Sequence, residues 1–509
     1  MPGDANLYSH FEQRFAGRPS HAAFTLAGGK TITYGQLGDK VSRMANALVA
    51  RGVKPGDRVM AQVEKSIENV LLYLACLKAG AVFNPLNTAY TSAALEYFIG
   101  DATPALLVVD PSKYAELQLI AAKAGVANVD TMDQYGHGSL ATLAEAHEAS
   151  HVTVARAPDD LAALLYTSGT TGRSKGAMIT HHNLASNALT LEQSWGFTAN
   201  DVLLHALPIF HVHGLFVAIN TSLLAGARMI WMAKFDLAAV LKALPEATAM
   251  MGVPTFYTRL LGDKSFGPEH CRNMRLFISG SAPLLAETHV EFEARTGHKI
   301  LERYGMTETG MITSNPYRDG ERRAGTVGYA LPGISVRIAG DGGSILPAGE
   351  VGVLEVKGPN VFKGYWNNPG KTAEEFRSDG YFVTGDLSVM AADGRVSIVG
   401  RSKDLIITGG FNVYPKEIED ELNALPGVAE SAVIGVPHAD FGEGVVAVVT
   451  PLPGATLPLE AEIIAHLAGR LAKFKLPKRV FAVADLPRNA MGKVQKAELR
   501  GVYGHTFAK

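Results

Sequence analysis

The sequence predicts an α/β protein with a large N-terminal domain of layered α/β sheets, a β-rich subdomain and a small α+β C-terminal domain. Over about the first 330 residues, short apolar runs of β type alternate with segments whose apolar residues recur at helical spacing. This alternation is typical of mostly parallel sheets covered by helices. Glycines and short alternating runs become frequent from residue 325 to residue 400, which indicates the β-rich subdomain.

Individual elements follow from these patterns. Residues 58–63 and 105–110 are predicted as strands, and residues 67–78 as a helix that ends before Gly80. Residues 351–356 alternate as a half-buried strand does, and residues 415–425 have helical spacing. A short polar joint at residues 400–404 separates the two halves. We therefore expect domains at 1–400 and 401–509, with the β-rich subdomain at about 325–400.

Composition excludes several classes of protein. The 509 residues are 47% hydrophobic and 19% charged, with a net charge of −2, which describes an ordinary globular protein. Nothing in this balance indicates nucleic-acid or membrane binding, and no apolar run is long enough to span a bilayer. The two cysteines, Cys76 and Cys271, fit a reducing compartment better than a disulfide framework. We expect a cytoplasmic protein.

A loop rich in glycine and hydroxyl side chains follows the apolar run at residues 161–165. Glycines let backbone N–H groups turn toward an anion, and the hydroxyls and cations add donors, so the loop suits phosphate. It is not a Walker A loop, because the lysine after Gly172 comes two residues late. A flexible connector has a similar composition. The candidate phosphate-binding residues are Thr167, Ser168, Gly169, Thr170, Thr171, Gly172 and Lys175.

Lys493 follows Gly492 near the C-terminus, and a lysine beside a glycine can enter a pocket from a tight turn. Taken alone, it would be an ordinary solvated charge. Other segments with chemical potential are a strand ending in small residues at 277–283, the run at 302–309 and the Gly385-Asp386 pair. The alternatives for the last two are a capped helix start at Thr307 and a turn at Asp386.

In this order, the motifs resemble those of the adenylate-forming superfamily, which includes acyl-CoA synthetases, nonribosomal peptide adenylation domains and luciferases. The resemblance covers about residues 22–502. It implies that ATP converts a carboxylic acid to an acyl-AMP and pyrophosphate, and that the thiol of coenzyme A then displaces AMP. It also implies a mobile C-terminal lid.

The resemblance assigns roles to particular residues. Thr307 would reach the α-phosphate, and Glu308 would hold Mg²⁺, which prefers carboxylate and phosphate oxygens. Lys493 would stabilise charge during adenylation, and His211 would border the acyl site. Lys403 would be the hinge between domains, and Gly409 and Gly410 would line the pantetheine tunnel. The nucleotide pocket would comprise Gly280, Ala282, Pro283, Glu302, Arg303, Tyr304, Gly305, Met306, Asp386 and Arg401.

The acid is predicted from the helix that begins near Pro254. Arg259 lies on this helix, and although a lone helix arginine is usually solvated, a dicarboxylic acid needs its second carboxylate paired. The segments around His211, Arg259 and Ser281 look like those of malonate-activating members of the superfamily. By that resemblance, Arg259 and Ser281 would bind the distal carboxylate of malonate, and methylmalonate would be tolerated.

Other functions remain open at this point. The chain could activate another short acid, or it could be a standalone adenylation enzyme that loads a carrier protein. A non-catalytic nucleotide or acyl sensor on the same fold would be expected to lose Lys493 or Glu308, and both are present. Finally, Pro487 followed by Gly492-Lys493 resembles the acetylation pattern of acyl-CoA synthetases, so a protein lysine acetyltransferase is a predicted partner.

Overall fold

The strands of this protein form four sheets within the residues that the structure describes. The structure is a computed structural model, and it describes residues 4–167, 174–489 and 492–507. The strands, in chain order, are β1 Ala22–Thr25, β2 Thr31–Thr33, β3 Arg58–Gln62, β4 Val82–Pro85, β5 Leu106–Val109, β6 Asn128–Thr131, β7 Leu161–Thr167, β8 Lys175–Thr180, β9 Val202–His205, β10 Arg228–Trp231, β11 Ala249–Gly252, β12 Leu276–Ser279, β13 Leu301–Met306, β14 Gly310–Ser314, β15 Tyr329–Ala330, β16 Ser335–Ala339, β17 Val351–Lys357, β18 Gly364–Tyr365, β19 Phe382–Met390, β20 Val396–Arg401, β21 Ile406–Thr408, β22 Phe411–Val413, β23 Val428–His438, β24 Gly442–Pro451 and β25 Arg479–Ala482.

The helices mostly connect neighbouring strands. They are α1 Leu7–Gly17, α2 Tyr34–Ala50, α3 Ile67–Lys78, α4 Ser92–Ala102, α5 Tyr114–Lys123, α6 Ser139–Glu145, α7 His181–Ser194, α8 Asn220–Ala225, α9 Leu237–Ala243, α10 Pro254–Gly262, α11 Ala286–Thr296, α12 Pro369–Glu375, α13 Pro415–Asn423, α14 Glu460–Ala468 and α15 Lys496–Tyr503. A π-helical segment, His213–Ile219, precedes α8. None of the described helices is long and apolar enough to cross a membrane.

Two large sheets build the N-terminal part. The nine-stranded sheet has the order β15-β14-β13-β12-β11-β9-β10-β1-β2, and its central strands run parallel. The seven-stranded sheet has the order β18-β8-β7-β4-β3-β5-β6. One continuous core joins the two sheets, and α3 is buried along almost its whole length within it. Helices therefore cover both sheets, as the alternating pattern predicts.

Two smaller sheets follow. One has the order β16-β17-β19-β20 and is antiparallel, and the other combines β22-β21-β24-β23 with β25 beside β24. The last sheet has cores of its own, formed by residues after 405. The sheet changes between Arg401 and Ile406, next to the expected joint, while the exact boundaries stay a prediction.

The α/β fold class is confirmed, and most predicted elements have their expected type. One alternative is wrong: residues 301–306 form β13, which turns back into β14, so Thr307 does not cap a helix. The strands at 310–314 and 329–330 belong to the nine-stranded sheet, because they pair in series with β13. The four-stranded sheet therefore begins later than residue 325, at Ser335.

Candidate active site

Parallel strands of the nine-stranded sheet end together at one edge, and the candidate residues follow these ends. In the register of the sheet, Gly252 pairs with Ser279, and Ser279 pairs with Glu302. The loops after β9, β11, β12 and β13 carry the histidines, the start of α10, the small residues at 280–283 and the Thr307-Glu308 pair. Ligands of open α/β sheets bind at such carboxyl edges.

Ser281 has an unusual backbone. Its φ of +74° is uncommon for a residue with a side chain, and such strain is often found where a side chain is aimed at a ligand. The Ser281 Oγ lies 3.1 Å from the Nδ1 of His213, the first residue of the π-helical segment. The neighbouring Gly280 has no room for a side chain, because a Cβ there would lie 2.5 Å from the Arg303 guanidinium.

Arg303 is the most informative side chain of this cluster. It is 3% exposed, and its Nε and Nη2 have no hydrogen-bond partner among the described residues. Burial lowers the pKa of its guanidinium to about 9. A buried cation without a carboxylate partner is costly, by several kcal/mol, unless a ligand pairs with it. The site thus has an unmet requirement for an anion.

Two histidines lie near this cation. Burial is the main cause that lowers the pKa of His211 to about 3, and the charges of Lys493 and Arg303 add to it. Burial and Arg303 also hold the pKa of His213 well below its usual range. Both imidazoles are therefore neutral at physiological pH. Neutral imidazoles can donate and accept hydrogen bonds beside an acid without adding further charge.

A second group of side chains would suit a nucleoside. Asp386 and Arg401 are paired residues of β19 and β20, and the Arg401 Nε lies 2.6 Å from Asp386 Oδ1. The Tyr304 hydroxyl donates to the other oxygen of Asp386. The Asp386 carboxylate is buried, and its contacts with Arg401 and Tyr304 fix its orientation. A fixed carboxylate of this kind can accept the hydroxyls of a ribose.

Glu308 could hold a divalent cation together with phosphate. Its carboxylate is 6% exposed, and burial raises its pKa. The Tyr365 hydroxyl lies 3.1 Å from Glu308 Oε1. No cluster of three or more metal-binding side chains occurs in the described part of the chain. A single carboxylate fits Mg²⁺, which takes one or two carboxylates and completes its shell with phosphate and water.

Lys493 reaches this centre from the C-terminal sheet. Its loop is a tight turn in which Gly492 has a φ of +74° and the Lys493 N–H donates to Asn489 Oδ1 at 3.0 Å. Burial lowers the pKa of Lys493 to about 8, and the charge of Arg401 contributes. The carboxylates of Asp386 and Glu308 act in the opposite direction. The lysine therefore lies between the side chains that would surround the acid and those that would surround the nucleoside.

The comparisons with known proteins agree with this arrangement. The model of the AMP-binding enzyme matches residues 11–366, and that of the AMP-binding enzyme C-terminal domain matches residues 417–493. The chain belongs to the AMP-binding enzyme family. This chain is similar to the crystal structure of ATP-bound MatB from Rhodopseudomonas palustris. The two are 57% identical in sequence, and their structures superpose with a TM-score of 0.97 over 99% of this chain and 100% of that one.

Curated relatives cover almost the same length. The mitochondrial malonate–CoA ligase ACSF3 of Mus musculus is 37% identical over 508 residues, which is 92% of this chain and 86% of that protein. Feruloyl-CoA synthase of an Amycolatopsis species is 36% identical over 492 residues, which is 95% of this chain and 96% of that protein. The identities to these two relatives are nearly equal, so they do not distinguish the acids for which the two relatives are named. The side chains of the pocket have to be considered as well.

The structure places Arg259 differently from the expectation for a carboxylate-binding residue. Its side chain is exposed, and its guanidinium lies 5.8 Å from the ring centre of Phe235. Arg303 lies beside Gly280 and near the histidines. Glu302 lies 3.6 Å from His289. Neighbours on a strand face opposite ways, so these two side chains have different surroundings, and their expected roles in the nucleotide pocket stay predictions.

The remaining expected residues fall into three groups. Tyr304, Thr307, Glu308, Asp386, Arg401 and Lys493 come together as one centre, and Gly305, Met306, Ala282 and Pro283 lie on the adjoining strand ends. Lys403, Gly409 and Gly410 are exposed on the C-terminal side. Residues Ser168, Gly169, Thr170, Thr171 and Gly172 lie outside the described residues, whereas Thr167 and Lys175 are paired at the ends of β7 and β8.

Sequence reasoning missed two residues of the centre. His213 was passed over in favour of His211, although both stand in one short segment. Tyr365, whose hydroxyl contacts Glu308, lies 57 residues away along the chain. The sequence signal for His213 is the glycine that follows it. In the structure, a Cβ at Gly214 would lie 2.0 Å from the carbonyl oxygen of Pro208, so a larger residue would prevent this tight turn.

Proposed function

We propose that this protein is an ATP-dependent malonate–CoA ligase. It activates malonate as malonyl-AMP with release of pyrophosphate, and then transfers the malonyl group to coenzyme A. The observation that carries the proposal is the buried Arg303, whose Nε and Nη2 lack a hydrogen-bond partner among the described residues and which lies in the same cluster as Ser281 and His213. A second carboxylate on the substrate supplies the anion that this cation lacks.

The first step needs charge to be held in place while one carboxylate oxygen of malonate attacks the α-phosphorus of ATP. Lys493 supplies a cation between the acid and the phosphate, and Thr307 donates toward the α-phosphate. Asp386 fixes the ribose, and its own position is set by Arg401 and Tyr304. Glu308 would hold Mg²⁺, which would supply positive charge to the phosphates of the nucleotide. The P–O bond to pyrophosphate breaks as the mixed anhydride forms.

The distal carboxylate decides which acid is accepted. Arg303 pairs with it, and Ser281, held by His213, donates a hydrogen bond to it. Arg259 lies outside this cluster, so the role in acid recognition expected for it passes to Arg303. A methyl group on the central carbon changes neither carboxylate, and one methyl usually alters selectivity only 10- to 200-fold, so methylmalonate is also accepted.

The second step requires the thiol of coenzyme A to reach the malonyl carbonyl from the side that Lys493 occupies. We infer that residues 401–509 rotate about Lys403, as expected for a lid. Lys403 lies in the short 3₁₀ turn Ser402–Asp404, which joins the last strand of the four-stranded sheet to the first strand of the C-terminal sheet. Gly409 and Gly410 form a two-residue hairpin with φ of +58° and +82°, which leaves a smooth exposed surface for an extended ligand.

Lys493 is also the proposed target of a protein lysine acetyltransferase. Acetylation would remove the charge that the first step needs. A stoichiometrically acetylated sample should lose adenylation, and full activity of that sample would refute the regulatory role. A cytoplasmic location is likewise a proposal, supported by the cysteine usage, since Cys76 and Cys271 are both free and buried.

A panel of seven carboxylic acids tests the main proposal. AMP formation with coenzyme A is measured for acetate, propionate, malonate, methylmalonate, succinate, benzoate and ferulate, and the thioester is identified by mass. We expect kcat/KM for malonate to exceed that for propionate at least 100-fold, and methylmalonate to follow malonate. Equal rates for malonate and propionate would indicate a general short-acid ligase. Faster turnover of ferulate, or AMP formation only with a carrier protein, would reject malonate–CoA ligation.

A further inference from the structure

Glu375, the last residue of α12, links two parts of the nucleotide site that are distant in sequence. Its Oε1 accepts a hydrogen bond from Lys175 Nζ at 3.1 Å, at the end of the phosphate loop. Its Oε2 accepts one from the Tyr365 hydroxyl at 2.6 Å. The same hydroxyl lies 3.1 Å from Glu308 Oε1. The chain Lys175–Glu375–Tyr365–Glu308 therefore joins the phosphate loop to the proposed metal carboxylate.

The backbone holds these four residues together. Strand β18, which carries Tyr365, pairs with β8, which carries Lys175, and the Trp366 N–H donates to the carbonyl oxygen of Gly176 at 2.7 Å. The Phe362 N–H donates to the carbonyl oxygen of Glu308 at 2.8 Å. One short segment thus fastens both the lysine strand and the loop of the metal carboxylate.

Helix α12 is seated firmly against this segment. The Tyr365 N–H donates to Thr372 Oγ1 at 2.9 Å, and a Cβ at Gly364 would lie 2.6 Å from the Thr372 side chain. Lys175 Nζ also lies 4.2 Å from the ring centre of Tyr365. The ammonium group is therefore fixed from two directions, by a carboxylate and by an aromatic ring.

The charges and hydrogen bonds of these residues show which donors and acceptors remain available to a ligand. Lys175 has three N–H donors, of which one is used on Glu375. Glu375 is also 3.2 Å from Lys371, so its negative charge is compensated by two lysines and does not face a ligand unbalanced. The single hydroxyl hydrogen of Tyr365 is shared between Glu375 Oε2 at 2.6 Å and Glu308 Oε1 at 3.1 Å, so Glu308 is oriented by Tyr365 and keeps further lone pairs for a cation.

We propose that Glu375 is a positioning residue for the metal-bound polyphosphate of the nucleotide. It directs Lys175 so that two N–H donors face the phosphates, and it fixes Tyr365, which limits where the Glu308 carboxylate can lie. Glu375 itself touches neither ligand.

The chain offers matched variants to test this role. Glu375→Gln keeps an acceptor for Tyr365 but removes the charge that holds Lys175. Tyr365→Phe keeps the ring under Lys175 but removes the hydroxyl between the carboxylates. Glu374→Gln is the control, because Glu374 is the preceding residue of the same helix and its exposed side chain bonds only to Lys371 at 3.0 Å.

Because this role presupposes the ATP-dependent function proposed above, binding is measured without any acid. Calorimetric titration of the full-length protein with ATP and Mg²⁺ should show a 5- to 20-fold higher Kd for Glu375→Gln and no change for Glu374→Gln. Half-saturation by Mg²⁺ at fixed ATP should rise in Tyr365→Phe. The double variant should weaken binding by less than the product of the two single effects, since both act through one chain of contacts.

Several outcomes would overturn the role. Tighter ATP binding by Glu375→Gln would mean that its charge only repels phosphate. Unchanged Kd with a lowered denaturation midpoint would mean that Glu375 only stabilises the fold. Multiplicative effects in the double variant would separate Glu375 from Tyr365. Failure of wild-type protein to bind ATP at all would instead reject the proposed function, and the two failures are thus distinguishable.

Discussion

Arg303 has a position that favours ligand binding at the expense of stability. A guanidinium group without a carboxylate partner is strongly desolvated at this site, and burial lowers its pKa to about 9. Binding sites commonly retain such destabilising groups because the ligand, rather than the fold, completes their interactions. His213 and Ser281 beside it are hydrogen-bonded to each other, so their geometry is set before an acid arrives. The acid is therefore selected by an arginine that is already in place.

Replacing Arg303 with Met should separate recognition from stability. We expect kcat/KM for malonate to fall at least 100-fold, because a buried ion pair of about 3 kcal/mol or more is lost. The free energy of unfolding should stay equal or rise by about 1 kcal/mol, because an unpaired buried cation is removed. Steady-state kinetics and urea denaturation measure the two quantities.

The matched control is Arg259→Met, at the exposed arginine. It should change malonate kcat/KM less than threefold. A large loss in Arg259→Met with little effect of Arg303→Met would return the distal carboxylate to the residue expected from sequence.

The pKa of Lys493 predicts a pH dependence. The ammonium form is the active one, and its pKa in the folded protein is lowered to about 8. The value of kcat/KM for ATP should therefore hold below pH 8 and fall about tenfold per pH unit above it, because this parameter reports ionisations of the free enzyme. The residual activity of Lys493→Ala should lack that decline. The same decline in the variant would assign it to another group.

At the scale of elements, the π-helical segment is held in place by a buried hydrogen-bond network that involves Lys65 and His205. The Lys65 Nζ donates to His205 Nδ1 at 2.9 Å and to the carbonyl oxygens of His205 and Met232 at 3.0 and 2.5 Å. Three acceptors match the three hydrogens of an ammonium group, although burial holds the pKa of Lys65 well below its usual range. The other ring nitrogen of His205 then donates to the carbonyl oxygen of Gly214, at the start of the π-helical segment that carries His213.

Lys65→Met should remove this support. Three buried acceptors lose their donor, and relief of the desolvated charge offsets part of the cost, so we expect a loss of about 2 kcal/mol in the free energy of unfolding. The urea midpoint measures it, with the exposed Lys123→Met as a control that changes less than about 0.5 kcal/mol. An unchanged midpoint would mean that this network does not stabilise the segment.

At the scale of the whole molecule, the arrangement of the two domains serves the first step. Lys493 lies among groups from the nine-stranded and the four-stranded sheets, whereas the Gly409-Gly410 hairpin remains exposed. Both cannot face the same acyl group from one position of the C-terminal domain, since they lie on different parts of it. The 3₁₀ turn is tied to both sides, since Ser402 Oγ donates to the carbonyl oxygen of Gly385 at 3.1 Å and Asp404 forms a salt bridge with Arg500 at 2.6 Å, which places the bending point between them, at Lys403.

Two variants should divide the reaction into its halves. Lys493→Ala should leave only a small residual rate of malonate adenylation but spare thioester formation from supplied malonyl-AMP. Gly409→Leu should do the reverse, because the new side chain occupies the proposed path of pantetheine and strains a residue with positive φ. Malonyl-AMP formation and its consumption with coenzyme A are assayed separately. Equal loss of both halves in either variant would contradict the alternation of domains.

Much of the fold and part of the site follow from local sequence. Helix α3 and strands β3 and β5 were predictable because periodicity reports which face is buried. Asp386 and Glu308 stand in short ordered motifs, which a resemblance between sequences can identify. The prediction at Arg259 rested on its charge and on the resemblance to malonate-activating members, and neither reveals which side of this helix faces a cavity.

The sequence by itself determined the α/β class through its periodicity, and it indicated ATP-dependent acid activation through the resemblance of its ordered motifs to the adenylate-forming superfamily, because such motifs are encoded over a few residues. Tertiary structure decided which arginine is buried and what accompanies it. Arg303 acquires its surroundings from Gly280 and His213, and Glu375 acquires its link to Glu308 through Tyr365. Burial is a property of segments packed together from distant parts of the chain, so no local pattern contains it.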